Sequence, residues 1–194
     1  MVWLIGKGLE AVFKATVGTA NYASEERKAG SPVVPNARIE NTYQSLIDAD
    51  IDGYTLRGEL GWGPIAAAGG WTRYSEERPP DELDSWFVEG LWRFGWSEHF
   101  RFDVAAGARG FERAFSTKGF QWGVSTGLYP VNYLGREGDA RWAFFDSGQL
   151  TDLRGALRLT YPDFPYASLR AGYRYIGIGD QKLHGPEVGL ALTW

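Results

Sequence analysis

The chain has 194 residues, 44% of them apolar, 15% aromatic and 23% charged, with 26 Gly, 9 Trp and no Cys. That is one domain's worth of chain, and so much Gly beside so many aromatics favours strands and turns. The absence of Cys, with only two His, excludes a disulfide framework, a thiolate nucleophile and Cys/His zinc sites, and a formal net charge of -4 argues against a general nucleic-acid binder.

The opening run Met-Val-Trp-Leu-Ile-Gly-Lys-Gly is too short an apolar run for a complete signal peptide, which is the expectation for a mature exported form with a start Met added. Just beyond it, Ala11, Phe13, Ala15, Val17 and Thr19 alternate with Glu10, Lys14, Thr16 and Gly18, and are read as a first strand. A helix over the same residues spreads Leu9, Val12, Phe13 and Val17 over a wide arc. That alternative gives eight strands preceded by an N-terminal amphipathic helix. Residues 20–50 follow as a long first outer loop, in which Arg38 to Ile47 extends a strand beyond the membrane.

From there a period of two dominates. Tyr54, Leu56, Gly58, Leu60 and Trp62 form one apolar row, and Ile65 to Tyr74 follows the turn Gly63-Pro64. Trp86, Val88, Gly90, Trp92, Phe94 and Trp96 form the next row. Three more run through Phe102 to Ala108, Phe120 to Leu128, and Ala140 to Phe145. Leu153 to Tyr161, Ala167 to Tyr175, and Val188, Leu190, Leu192 and Trp194 complete the set. Short and long links alternate between them, and the expected count is ten antiparallel strands in one domain spanning residues 1–194. No stretch suits a spanning helix, since the longest uncharged one, Gly119 to Gly135, includes Gln121, Pro130 and Asn132.

The opposite face of these strands is small or charged. It carries Glu10, Lys14, Arg57, Glu59, Glu89, Arg93, Arg101, Asp103, Arg109, Arg154, Arg158, Arg170, Arg174 and Glu187, nine cations against five acids. An antiparallel sandwich with its charged face in water accounts for simple alternation. Bulky apolar rows opposite small and long charged residues instead suit a narrow closed barrel, whose lumen is filled by Arg reaching to carboxylates and whose exterior meets lipid. Trp62, Trp71, Trp86, Trp96, Tyr161, Tyr173, Tyr175 and Trp194 lie near strand ends, where girdles at the two bilayer interfaces belong.

The last residues, Glu187-Val-Gly-Leu-Ala-Leu-Thr-Trp194, resemble the C-terminal signal of bacterial outer-membrane β-barrel proteins. The resemblance rests on Val188, Leu190, Leu192 and Trp194, and the wider pattern extends from about Leu9 onward. It implies a closed up-and-down barrel in the bacterial outer membrane, contact with its lipid and lipopolysaccharide, and reading of the terminal segment by the barrel-assembly machinery. Some small barrels of this class modify lipid A with a catalytic His. Of the two His here, His99 falls in an expected periplasmic turn, whereas His184 falls in the last outer link near Asp180 and Glu187, where a general base is conceivable. The neighbouring Ser of a lipid A deacylase is absent from Leu183-His184-Gly185-Pro186.

The expected role is therefore structural or interactive, with no cofactor, no metal and no nucleic acid. The chain is expected to be a barrel with a plugged Arg-rich lumen, a subunit of a larger envelope complex that meets a protein partner through its outer loops. A narrow pore for small solutes or anions and a lipid A-modifying enzyme are the alternatives.

Overall fold

In a computed structural model, which describes residues 2–47, 50–77, 80–112, 116–131 and 133–194, ten antiparallel strands close into a barrel. The strands are β1 (Ala37–Ser45), β2 (Ile51–Trp62), β3 (Ile65–Glu77), β4 (Pro80–Ser97), β5 (Phe100–Glu112), β6 (Thr117–Val131), β7 (Leu134–Phe145), β8 (Gly148–Tyr161), β9 (Phe164–Ile178) and β10 (Gln181–Thr193). Each strand pairs with its sequence neighbours, and β1 pairs with β10 to close the ring, with Ile39 opposite Leu192 and Tyr43 opposite Val188. The Trp194 amide donates to the Ala37 carbonyl and its own carbonyl accepts from Asn36, so the last residue completes the seam.

The strand count agrees with the sequence reading, but the first strand does not. Residues 2–21 form a helix, α1 (Val2–Asn21), followed by one π-helical turn at Tyr22–Glu26. Two features that a strand reading ignores favour the helix. Lys7, Glu10 and Lys14 pair at helical spacing, and the wide apolar arc needs no narrow buried face, since most of it stays exposed. The place of the first strand is taken by residues 37–45, where Arg38, Glu40, Thr42 and Gln44 point inward. Asn41 on the outer face hides that strand from a hydrophobicity pattern, and its side-chain amide is satisfied by the Tyr54 hydroxyl. Helix and ten strands thus coexist, where the sequence reading set them against each other.

Residues 20–50 are accordingly not one long outer loop. They contain the end of α1, the π turn, a segment across the mouth at which β10 ends, and β1 itself. The other long links shrink as well. Only residues 179–180 separate β9 from β10, because backbone pairing continues past the apolar belt, as on β3 and β4 where Arg73 and Asp84 pair across the strands.

Burial alternates along every strand with polarity inverted relative to a water-soluble protein. Leu60, Ile65, Val88, Leu157, Leu169 and Leu190 are exposed, whereas Arg93, Asp103 and Arg158 have almost no exposure. Tyr54 and Trp62 bracket the belt on β2. They lie roughly 26 Å apart along the strand, or roughly 20 Å along the axis at a tilt of about 40°, close to the ~25 Å band of a membrane barrel. Val88 sits inside that belt among Gly69, Ala106 and Ala108. Replacing it by Arg is expected to cost about 2–4 kcal/mol, read as a lowered urea midpoint in lipid vesicles, while Val88→Leu stays within about 0.5 kcal/mol.

Candidate functional site

The lumen is filled in three layers. At the mouth opposite the chain termini, inward-facing Tyr74, Phe111, Leu150 and Ile176 pack with Leu46 into an apolar cap, with Ile51, Leu83, Phe145, Ile178 and Leu183 around it. At the terminal mouth Val33 and Val34 pack beneath Tyr129, flanked by Tyr22 and Ala23. Between these two layers lie the charges.

Glu137 of β7 is one hub. Arg38 reaches it at 2.8 Å and Arg170 at 2.9 Å, Arg158 lies at 3.6 Å, and the Tyr129 hydroxyl donates to it at 2.9 Å. Glu40 of β1 shares Arg38 and Arg170 and takes Arg154 at 2.6 Å, which also pairs with Glu187. Glu89 of β4 receives two hydrogen bonds from Arg141 at 2.9 and 3.0 Å, one from Arg57 at 3.2 Å and one from Gln121 at 3.0 Å. Asp152 of β8 is gripped by Arg174 through Nε and Nη2, at 2.9 and 2.8 Å, and by Arg109 from across the barrel at 2.8 Å. Nearest the terminal mouth, Arg93 pairs with Glu59 and Arg101 with Asp103. These two arginines also donate to the carbonyls of Pro35 and Pro32, which ties the segment after the π turn into the mouth.

Small residues make this geometry possible. A Cβ on Gly61 would strike the Arg93 guanidinium, and one on Gly123 would strike the Arg141 stem, so each glycine leaves room for an arginine beside it. The Tyr129 ring lies between Gly127 and Gly135 for the same reason.

Twelve of the fourteen expected lumen residues point inward: Arg57, Glu59, Glu89, Arg93, Arg101, Asp103, Arg109, Arg154, Arg158, Arg170, Arg174 and Glu187. Glu10 and Lys14 do not, because they lie on α1, exposed and paired with each other at 2.6 Å. Six further charged residues line the lumen without having been expected there: Arg38, Glu40, Glu137, Asp139, Arg141 and Asp152. Parity would have found four of them, had the strand at Ala140 been extended back to Leu134 and the one at Leu153 back by a single residue. Among the described residues ten arginines then face eight carboxylates, and the cationic excess is two where nine against five had been expected.

The aromatics divide between the two ends. Trp62, Tyr161 and Trp194 are exposed beside the terminal mouth, whereas Trp71 and Trp86 pair across strands toward the other end, as do Tyr173 and Tyr175 near His184. The Trp96 side chain lies outside the described residues. Val188, Leu190 and Leu192 face outward along β10. His184 lies on β10 rather than in a loop, stacked against Tyr173 and Tyr175, with its Nδ1 2.6 Å from the Tyr173 hydroxyl. Glu187 points the other way, into the lumen, and the structure does not bring the two together. His99, in the turn before β5, has its Nδ1 2.8 Å from the Tyr129 carbonyl.

The central cavity between Arg57, Glu89, Arg109 and Arg174 measures about 40 Å³. At about 10–15 Å³ per water that is room for roughly three waters. A hollow of about 230 Å³ lies below Tyr129, among Tyr22, Lys28, Glu98 and Pro165.

Removing one partner of a buried pair leaves the other charge uncompensated in a medium of low dielectric. Glu137→Ala, which removes the carboxylate beside Arg158 and leaves Arg38 and Arg170 to Glu40 alone, is expected to cost about 3–5 kcal/mol in vesicle-reconstituted unfolding. Lys14→Ala, at an exposed pair, is expected to cost at most about 1 kcal/mol in the same assay.

No protein-family model and no curated protein sequence matches this chain significantly. Solved structures do. The NanC porin superposes with a TM-score of 0.54 at 8% identity, covering 81% of this chain and 100% of NanC. The N-terminal β-barrel domain of Pseudomonas aeruginosa OprF gives 0.43 at 11% identity, covering 83% of this chain and 99% of that one. The Yersinia pestis outer membrane protein Ail gives 0.44 at 12% identity, covering 82% and 99%. At such identities the likeness is one of fold, and NanC carries it: this chain has the closed barrel of a bacterial outer-membrane protein, with an apolar exterior and a salt-bridged lumen.

Proposed function

We propose that this chain is a non-conducting, non-enzymatic barrel of the bacterial outer membrane, with a structural or protein-interaction role as a subunit of a larger envelope assembly. One observation carries the reading: the lumen is filled at every level, by an apolar cap, a charge network with room for a few waters, and the Val33–Val34 segment beneath Tyr129. A pore needs a continuous wet path and a weakly held lining. Here the arginines that would attract an anion are bonded to carboxylates, and the net excess of two charges sits behind both closures. NanC is a porin, but the likeness to it is one of backbone fold.

A catalytic His184 would need a carboxylate to orient it. Its Nδ1 is engaged by Tyr173, and Glu187 is held by Arg154 inside the barrel. With the lumen filled, the surfaces left for a partner are the hairpins beyond the belt, such as the one joining β3 to β4, and the terminal mouth. Val188, Leu190, Leu192 and Trp194 fit a segment read by the assembly machinery while it is still an unpaired edge, before Trp194 joins Ala37.

In planar bilayers the purified protein is expected to give no discrete openings, and reproducible single-channel steps would overturn the reading in favour of the pore. Lipid A from expressing cells is expected to have the same mass spectrum with the wild-type chain, with His184→Ala and with no chain at all. A mass change that depends on His184 would assign the chain an enzymatic role instead. Copurification of stoichiometric partners from outer membranes is the expected positive result, and their loss on replacing the β3–β4 hairpin would place the contact.

A further inference from the structure

We propose that α1 is a membrane-surface helix, lying in the interfacial layer of the leaflet next to the terminal mouth with its apolar arc in lipid; this goes beyond the barrel's role but rests on its residence in a bilayer. The helix is rooted at one end only. Ala15 and Thr19 are fully buried, the Thr19 hydroxyl bonds to the backbone of Gly95, and Gly18 lies against the Gly95 carbonyl. All of residues 3–14 are exposed, and among them Trp3, Leu9 and Phe13 are 72%, 66% and 71% accessible.

A three-turn projection of that composition does not stand alone in water. Gly6 and Gly8 each cost about 1 kcal/mol of helix propensity relative to Ala, and helices of this length need an apolar surface to cover them. The residues are arranged for such a surface. Ile5, Leu9, Val12 and Phe13 occupy one arc, while Lys7, Glu10 and Lys14 form a separate stripe knitted by ion pairs at 3.4 and 2.6 Å. The stripe carries one net positive charge, which suits an anionic lipid surface. Among the described residues no helix is long and apolar enough to cross a membrane.

What covers the arc follows from where the root lies. Gly95 is at the terminal end of β4, and the turn after α1 places Ala23 against Gly63, next to Trp62, which is 89% exposed. The apolar exterior of the barrel begins at this rim, with Trp62, Ile65 and Trp92. The helix's apolar arc is thus continuous with a surface already committed to lipid.

Because the chain has no native Cys, one nitroxide can be attached at a time through Leu9→Cys, Phe13→Cys, Lys7→Cys or Lys14→Cys. Each labelled full-length chain is folded into vesicles of phosphatidylethanolamine and phosphatidylglycerol, and collision with oxygen is compared with collision with a water-soluble nickel chelate. Oxygen is expected to dominate several-fold at positions 9 and 13, and nickel at 7 and 14. A label at Val88→Cys, on the lipid-facing side of β4, reports the barrel independently. If nickel reaches all four helix positions equally while position 88 stays oxygen-rich, the helix lies in water and this inference falls while the membrane barrel stands. If position 88 is itself reached by nickel, both fall. Spin–spin broadening between two chains labelled at position 13 would make a second copy the occupant and also overturn it.

Discussion

The structure depends on arginines that span the lumen to carboxylates on strands they do not neighbour. Backbone hydrogen bonds tie each strand only to the next, so in a ring of ten, whose mean diameter follows from strand number and stagger, it is the filling that resists flattening of the cross-section. Arg38 of β1 meets Glu137 of β7, Arg141 of β7 meets Glu89 of β4, and Arg109 of β5 meets Asp152 of β8. Each of these bonds is a chord across the ring. Buried ion pairs contribute little net stability against an apolar core of the same shape, but breaking one side is costly. Their consequence here is one of shape: the cross-section that satisfies all the chords is strongly preferred over any that separates them.

The two apolar closures follow from the same constraint. A charged lumen open to water would let each guanidinium exchange its carboxylate for solvent, and the chords would weaken as the local dielectric rose. The cap around Leu150 and the layer formed by Val33, Val34 and Tyr129 keep the network in a medium where pairing is strong. The lower layer is made by a segment outside the strands, held in the mouth by the Arg93 and Arg101 bonds to the Pro35 and Pro32 carbonyls. The network therefore recruits part of its own lid. This also explains why the residues ahead of β1 are ordered where a polar loop had been expected.

Parity made most of this legible. Wherever bulky outward residues alternate with small or charged inward ones, as along β2, β8 and β9, both the strand and the face of each side chain follow from a period of two, because lipid outside and a narrow lumen inside leave no other assignment. The reading failed where that contrast is blurred. β1 carries Asn41 on its lipid face and reads only as a strand extension beyond the membrane within the first loop, although Arg38, Glu40, Thr42 and Gln44 on its other face match the lumen sides of its neighbours. Residues 11–19 show alternation without belonging to the barrel, since Ala, Gly and Thr at alternate positions satisfy either period. The i,i+4 pair of Glu10 and Lys14 was the physical signal that separated the two. Partners across the lumen, such as Arg38 with Glu137, were not legible at all, since pairing between non-adjacent strands depends on tilt and stagger rather than on spacing along the chain.

The overall charge changes meaning once the lumen is separated from the rest. Twenty cations and twenty-four acids give the chain its net charge of -4, yet among the described residues ten of those cations and eight of those acids lie inside the barrel. The interior's +2 thus has the opposite sign to the charge of the whole chain. Acidic residues crowd the β3–β4 hairpin, where Glu76 and Glu82 stand with Asp84. There Asp84 is itself paired with Arg73, at 3.1 Å. The interior charge, shielded behind its two apolar closures, contributes little beyond the barrel, because field lines from paired charges fall off within the pairs themselves. The arginines of the lumen, bonded in pairs, serve shape rather than long-range attraction.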